Sequence, residues 1–496
     1  MLSTRSSTVT GGADMKKMFI LVTVLLLVLS MSGCSLMLMQ MAAMPAEPTE
    51  PTVVTEPTQP EKEWPGFNGT DYKYVYLYEE GRERAWEEDL VYMAANYIDD
   101  YGRLSRFPFP VKAPDDSYLS DEFYEPELQQ YWIEETNAMI RDIPNMTDTE
   151  ILYRIQKLVA TLEDGHASIY LPRSPLFPIG FVPFFREDGM DVRAVMLPKA
   201  QEDALFTKLV AINGVPVEEV VTRLEPYMSY ENEAWLMTSI FHCYCYSYAT
   251  QEDILVITGI QEKAGKSVTY TLESDDGKVF DLKLRAESSL DSSKLTGMLP
   301  MDSYSQMYKD MEHYYWYEVF PQEDMIYLRI NEFTQDNSYT FLNLGNDMLK
   351  DVRANGGKVG KLIVDLRDNP GGLTFAGYHE FVNVLKRIDI GQVYVLVDSN
   401  TFSNGIIMAA TIKREIPESL WVGTPAGQPP NFYGGMSDGD FVMPNCDVII
   451  RMPTSFNKTL PDYEGDTLMP DLLVYPTIED YKNGVDTVLE AVRALP

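Results

Sequence analysis

"VYVLVDSNTFSNGIIMAATIKRE", residues 393–415, begins as an unbroken apolar strand, breaks into a polar turn and resumes with helical spacing. A strand without polar alternation needs cover on both faces, as in parallel sheets flanked by helices. "MIYLRINEF" (325–333) and "KLIVDLR" (361–367) have the same texture. Helical stretches separate them, "TFLNLGNDMLKDVRA" (340–354) and "FAGYHEFVNVLKRI" (375–388). From about Asp324 onward this alternation predicts a layered α/β domain, whose sites belong at the carboxyl ends of its strands.

Ser403 stands at such an end, just past the strand and at the first turn of the helix. That junction exposes a hydroxyl beside backbone N–H groups and the positive end of a helix, which suits a nucleophile. Serine is also a preferred helix N-cap, and this stretch alone leaves both readings open. A second strand end, "LIVDLRDNPGG" (362–372), closes on Gly371 and Gly372. Paired glycines let the backbone approach a ligand and turn N–H groups toward a developing oxyanion, although a tight turn explains glycine as well.

Upstream, residues 84–98, 126–143 and 151–162 repeat apolar residues at helical spacing, and Thr147-Asp-Thr-Glu150 is a capping signal. The helical pattern ends in "EDGHASIYLP" (163–172). Short strands follow at 191–197, 208–213, 267–274 and 279–286, with turns at Asn213-Gly214 and Asp276-Gly277. A Tyr- and Glu-rich helical piece, "EPYMSYENEAWLMTSIFHCY" (225–244), interrupts them.

The amino terminus has a different character. "MKKMFILVTVLLLVLSMSGC" (15–34) has a basic start, a short apolar run and small residues before Cys34, the pattern of an export signal. A Pro-, Thr- and Glu-rich tract (45–65) then reads as an extended spacer. The 496 residues, 45% hydrophobic, carry a formal charge of -35, which disfavours nucleic acid and other polyanions as partners. Cys243, Cys245 and Cys446 suggest no disulfide framework, and His242 with Cys243 and Cys245 reads as aromatic-rich core rather than a metal site.

The motifs taken in order, "KLIVDLRDNPGG", "VYVLVDSNTFSNG", "VGTPAG" and "MPDLLVYP", resemble the S41 serine peptidases, the tail-specific or carboxyl-terminal processing family. The resemblance runs from about Gly165 to the end. It implies a layered α/β peptidase core of the ClpP/crotonase-like kind in an α+β multidomain chain, and protein or peptide substrates. It also implies Ser403 as nucleophile, and an oxyanion held by N–H groups from Gly371 or Gly372 and from Asn404. No metal or organic cofactor is implied.

The base separates two branches of that family. Where the processing peptidases carry a lysine, this chain has Gln428, and an amide cannot take a proton. Lys413, ten residues along the helix from Ser403, lies about 15 Å away by helical rise. The chain instead resembles the histidine-using, tricorn-like branch, in which "DGH" supplies His166 as general base. His379 competes weakly, while His242 and His313 read as packing residues. The acidic member falls at Glu464, with Asp462 and Asp466 as rivals. Gly165 replaces the serine by which some relatives relay the acid to the histidine.

"TKLVAINGVPVEEVV" (207–221) resembles the start of a PDZ-like module, and Ser32-Gly33-Cys34 a bacterial lipobox with Cys34 lipidated. The organisation expected is a leader over 1–34, a linker over 35–67 and a helical subdomain over 68–175. A PDZ-like β subdomain over 176–290 and the peptidase core over 315–496 complete it. The function implied is an exported, membrane-anchored serine endopeptidase acting outside the cytoplasmic membrane. The alternative is an inactive peptide-binding lipoprotein that keeps the fold as a scaffold.

Overall fold

The computed structural model describes residues 81–97, 126–242, 247–297, 306–334, 338–372, 377–434, 440–451, 453 and 455–495. The expected leader, its Cys34 and the linker lie outside the described residues, as do Cys243 and Cys245. Within the described residues, no helix is long and apolar enough to cross a membrane.

Three helices come first, α1 (Arg82–Tyr97), α2 (Pro126–Asp142) and α3 (Asp148–Ala160). The capping box predicted before α3 is present: Thr147 and Glu150 each accept from the other's backbone N–H. The helices bury Trp86, Leu90, Trp132, Ile151 and Ile155 against one another. A short strand, β1 (Ser168–Ile169), follows His166.

The next sheet is antiparallel along its main path: β2 (Gly180–Arg186), β3 (Gly189–Pro198), β4 (Lys208–Ile212), then β5 (Val268–Glu273) and β6 (Val279–Leu284). Helix α4 (Val217–Leu224) buries Val220 and Leu224 in the same core. Inside the sequence insertion, α5 (Glu233–Phe241) is capped by Asn232, whose side chain accepts from Trp235 N–H.

The carboxyl-terminal part is a six-stranded sheet in the order Leu472–Leu473, Leu420–Gly423, Asp389–Val397, Lys358–Asp365, Met325–Ile330 and Tyr315–Phe320. In chain order these are β7 (Tyr315–Phe320), β8 (Met325–Ile330), β9 (Lys358–Asp365), β10 (Asp389–Val397), β11 (Leu420–Gly423) and, later, β16 (Leu472–Leu473). All pairings are parallel except β7 with β8. Side chains alternate across it. Ile326, Leu328, Leu362, Val364, Val393 and Val395 face a layer made by α6 (Phe341–Ala354), α7 (Tyr378–Leu385) and α8 (Asn404–Glu415). Met325, Tyr327, Ile363, Tyr394 and Leu396 face α9 (Thr487–Ala494). Apolar runs at 325–328, 362–364 and 393–397 follow directly, since both faces are buried. The fold is a layered α/β core in an α+β multidomain chain.

Charged residues lock the strand ends. Arg367 donates to both carboxylate oxygens of Asp486 at 2.6 and 2.7 Å and also contacts Asp365, while Asp486 caps α9. The acid and base of "LIVDLR" therefore tie the terminal helix to the sheet, and this buried cluster holds only while every member is present.

One feature departs from the linear pattern. After β12 (Asn431–Gly434), the chain forms β13 (Phe441–Val442) and β14 (Ile449–Arg451) before β15 (Ser455–Lys458). β14 pairs with β1, and Met443, Val448 and Ile450 enter the core of the amino-terminal helices. Asp89 of α1 accepts from the N–H groups of Asn445 and Cys446. The segment carrying His166 is thereby fixed to the part of the chain that carries Ser403.

Candidate active site

The turn between β10 and α8 is stitched to the loop after β9. Thr401 Oγ1 donates to the Leu366 carbonyl at 2.9 Å, and Phe402 N–H donates to the Asn369 carbonyl at 3.0 Å. Between these anchors Ser403 adopts φ 53° and ψ -118°, a conformation rare for a residue with a Cβ. Its side chain makes no cap hydrogen bond to the helix. Ser403 Oγ lies instead 3.0 Å from His166 Nε2, across 237 positions of sequence. The capping role that the sequence left open is not the one this hydroxyl takes.

His166 sits in the turn between α3 and β1, where its N–H donates to Asp164 Oδ1 at 2.8 Å. Its ring is held between two phenyl rings, Phe402 at 4.7 Å and Phe432 at 5.4 Å between centroids. Trp235 of α5 stacks on the far side of Phe402 at 3.9 Å. Burial pushes the imidazole pKa from 6.5 down to about 3, the positive Arg451 adds to the shift, and the Tyr433 backbone opposes it. The ring is therefore neutral near pH 7, the state a general base requires.

Gln428, fully buried, is the hub. Its Oε1 accepts from Ser403 N–H at 2.8 Å, and its Nε2 donates to Glu231 Oε1 at 2.6 Å. The same Nε2 is 3.1 Å from His166 Nδ1. Glu231 directly precedes the cap of α5. Asn232 pins that point to the loop leading to Gln428 by donating to the Ala426 carbonyl at 3.0 Å. Burial, then the charge of Asp164, raise the Glu231 carboxyl well above the usual carboxylate range.

Asp164, His166 and Glu231 bring one ligand atom each within 4.8 Å of one another. Gln428 Nε2 already stands in hydrogen-bond contact with His166 Nδ1 and Glu231, where a cation bridging them would lie. The arrangement is a hydrogen-bonded frame for the imidazole. Gly165 belongs to it: a Cβ there would lie 2.6 Å from Glu231 Oε2 and 3.0 Å from the Phe402 ring.

These positions correct two expectations. Glu464 is exposed in the loop before β16, as are Asp462 and Asp466, and the hydrogen bonds of the His166 ring go to Ser403, Gln428 and the Tyr433 backbone instead. The acid beside the ring is Glu231, from the insertion. No local signal marked it among 75 acidic residues; what was legible was that Gln428 occupies the place of a base. The second correction concerns Gly371, whose N–H is donated to Asn369 Oδ1 at 2.9 Å and is thereby committed. Gly371 serves by its lack of a side chain, since a Cβ would lie 2.6 Å from Ser403 Cβ and 3.0 Å from Asn404 N. Gly372 and Asn404 flank the same spot, with Asn404 Nδ2 donating to the Gly372 carbonyl at 2.7 Å.

The remaining candidates lie elsewhere. His379 is exposed on α7, and His313 pairs with Asp310 at 2.8 Å. Lys413 is bound to Asp471 at 2.9 Å near the far end of α8.

No family model matches the sequence, and no curated relative does. Among solved structures, mature CPAF complexed with lactacystin is similar with a TM-score of 0.49 at 12% identity, over 74% of this chain and 94% of that one. The photosystem II D1 C-terminal processing protease gives 0.38 at 12% identity, over 83% of this chain and 96% of that one. The tricorn protease gives 0.35 at 12% identity, over 82% of this chain and 36% of that one.

Proposed function

We propose that the chain is a serine-type endopeptidase of the S41 kind, with Ser403 as nucleophile and His166 as general base. The observation that carries the reading is the 3.0 Å approach of His166 Nε2 to the hydroxyl of a serine held in a strained turn. Ser403 Oγ attacks the peptide carbonyl while its proton passes to the Nε2 lone pair. Nε2 then returns the proton to the leaving amine, and water repeats the cycle on the acyl-enzyme. The charge on the carbonyl oxygen falls to backbone N–H groups at Gly372 and Asn404. Further parts of this proposal are a PDZ-like role for the sheet β2 to β6 in holding extended peptide, and export with a lipid anchor on Cys34 outside the cytoplasmic membrane.

The test is cleavage of casein and of a peptide library by wild type and His166→Ala, with circular dichroism confirming that both fold. The expected result is cleavage lost in His166→Ala. Peptide binding by wild type with no cleavage at any pH would instead establish a scaffold.

A further inference from the structure

Two stretches meet beneath Ser403: the turn 398–402 after β10, and the loop 366–372 after β9 that carries Gly371 and Gly372. Besides the bonds from Thr401 and Phe402, one carboxylate holds both. Asp398 accepts from the N–H of Asn400 at 3.1 Å within its own turn, and from the N–H of Asp368 in the other stretch at 2.9 Å on Oδ1 and 3.0 Å on Oδ2. The Thr401 hydroxyl, 3.2 Å from Oδ1, shares with it the one proton that it gives to Leu366. The Asn400 amide returns the link by donating to Asp368 Oδ1.

Asp368 holds φ 52°, a left-handed value uncommon in a residue with a Cβ, and the N–H that it gives to Asp398 lies three residues before Gly371. From there the loop has a fixed path. The Asn369 carbonyl accepts from Phe402 N–H at 3.0 Å, Asn369 Oδ1 accepts from Gly371 N–H at 2.9 Å, and Asn369 Nδ2 donates to the Ile330 carbonyl of β8 at 2.8 Å. A shift at Asp368 is therefore carried to Gly372.

The carboxylate stands there against two opposing effects. Burial, then the charge of Asp368, raise its pKa, while the Asp368 N–H, the Arg367 guanidinium and His242 act the other way. A neutral serine or asparagine would serve the turn alone without that cost. What the ionised group adds is a stronger bond across to the second stretch, since hydrogen bonds to a carboxylate are about twice as strong as those to a neutral acceptor.

We propose that Asp398 is the positioning residue that keeps the backbone at Gly372 in register with the Ser403 hydroxyl, so that it acts on the acyl-transfer step and not on peptide binding. This rests on the peptidase reading above. Asp398, Asp368 and Asn400 also line a cavity shared with Val182 and Phe184 of β2. Water from that cavity takes up the freed N–H groups when the carboxylate is removed, so the chain folds, but without the fixed direction that the carboxylate imposes.

The test uses the full-length chain as wild type, Asp398→Ser and Asp398→Asn, with folding followed by circular dichroism and urea denaturation. Serine keeps an oxygen for the N–H two residues on but is too short to reach Asp368, whereas asparagine keeps an acceptor for both. Saturation kinetics with a fluorophosphonate separate the half-saturating concentration, which reports binding, from the limiting rate, which reports attack by Ser403 with the phosphoryl oxygen at the oxyanion site. Asp398→Ser should lower the limiting rate about 10–100-fold at an unchanged half-saturating concentration, and Asp398→Asn should stay within about fivefold of wild type. A role in stability alone would shift the urea midpoint and leave the limiting rate of the folded protein unchanged. That result, a loss confined to half-saturation, or an Asp398→Asn slower than Asp398→Ser would overturn the inference while leaving the peptidase reading intact. A wild type that never reacts would count against the peptidase reading, and against this inference with it.

Discussion

The neutrality of His166 has a consequence for stability that can be measured without any substrate. In the unfolded chain the imidazole titrates near 6.5, whereas burial and Arg451 hold the folded ring down at about 3. Between those values the unfolded state binds a proton that the folded state refuses, so stability falls as pH drops through the window. From pH 7.5 to pH 5 the ring crosses one and a half units of it, at about 1.4 kcal/mol per unit, or about 2 kcal/mol. Water at the partly accessible ring edge trims this toward about 1 kcal/mol. The experiment is urea denaturation at both pH values of Ser403→Ala, which removes self-cleavage, and of Ser403→Ala with His166→Asn. The double variant should lose about 1–2 kcal/mol less on acidification than the single one. Equal losses would mean that the folded ring titrates as it does in water, and the argument from its enclosure would fail.

Three further outcomes follow from the geometry. Gly165→Ala places a Cβ 2.6 Å from Glu231 Oε2 and 3.0 Å from Phe402, and should cost about 1–3 kcal/mol by urea denaturation while slowing fluorophosphonate labelling at least about tenfold. Gly371→Ala sets a side chain at φ +105° against Ser403 Cβ and should cost about 1–3 kcal/mol by the same measurement, with peptide cleavage lost. Asp486→Ala strips the buried Arg367 guanidinium of two hydrogen bonds and uncaps α9; a loss of about 3–5 kcal/mol in urea is expected, and a loss below 1 kcal/mol would show that Asp365 alone satisfies the arginine.

The α/β core was legible because its strands are buried on both faces and so carry no polar alternation; Leu362 to Val364 and Val393 to Val397 announce themselves. The position of Ser403 was legible as a strand-turn-helix junction, but its backbone strain and its choice of His166 over capping were not, because these depend on groups 237 positions apart. The union of β1 with β14, which joins the two halves of the site, had no local signal either: the segment 441–451 packs on helices more than 280 residues earlier. The ordered motifs point to Glu464, whereas Glu231 reaches Gln428, and through it the ring, from an insertion that those motifs do not cover. That Gln428 cannot take a proton is legible from its residue type. That an amide with one donor face and one acceptor face could join nucleophile, base and acid emerged only from the hydrogen-bond geometry.

The central claim is that a hydroxyl at the tip of β10 is activated by an imidazole from the turn before β1. Peptide mapping by mass spectrometry after fluorophosphonate treatment tests it most directly. The account predicts an adduct on Ser403 in wild type, none at that position in Ser403→Ala, and labelling slowed about 10²–10⁴-fold in His166→Asn. An adduct on another residue, or equal labelling of wild type and His166→Asn, would contradict it.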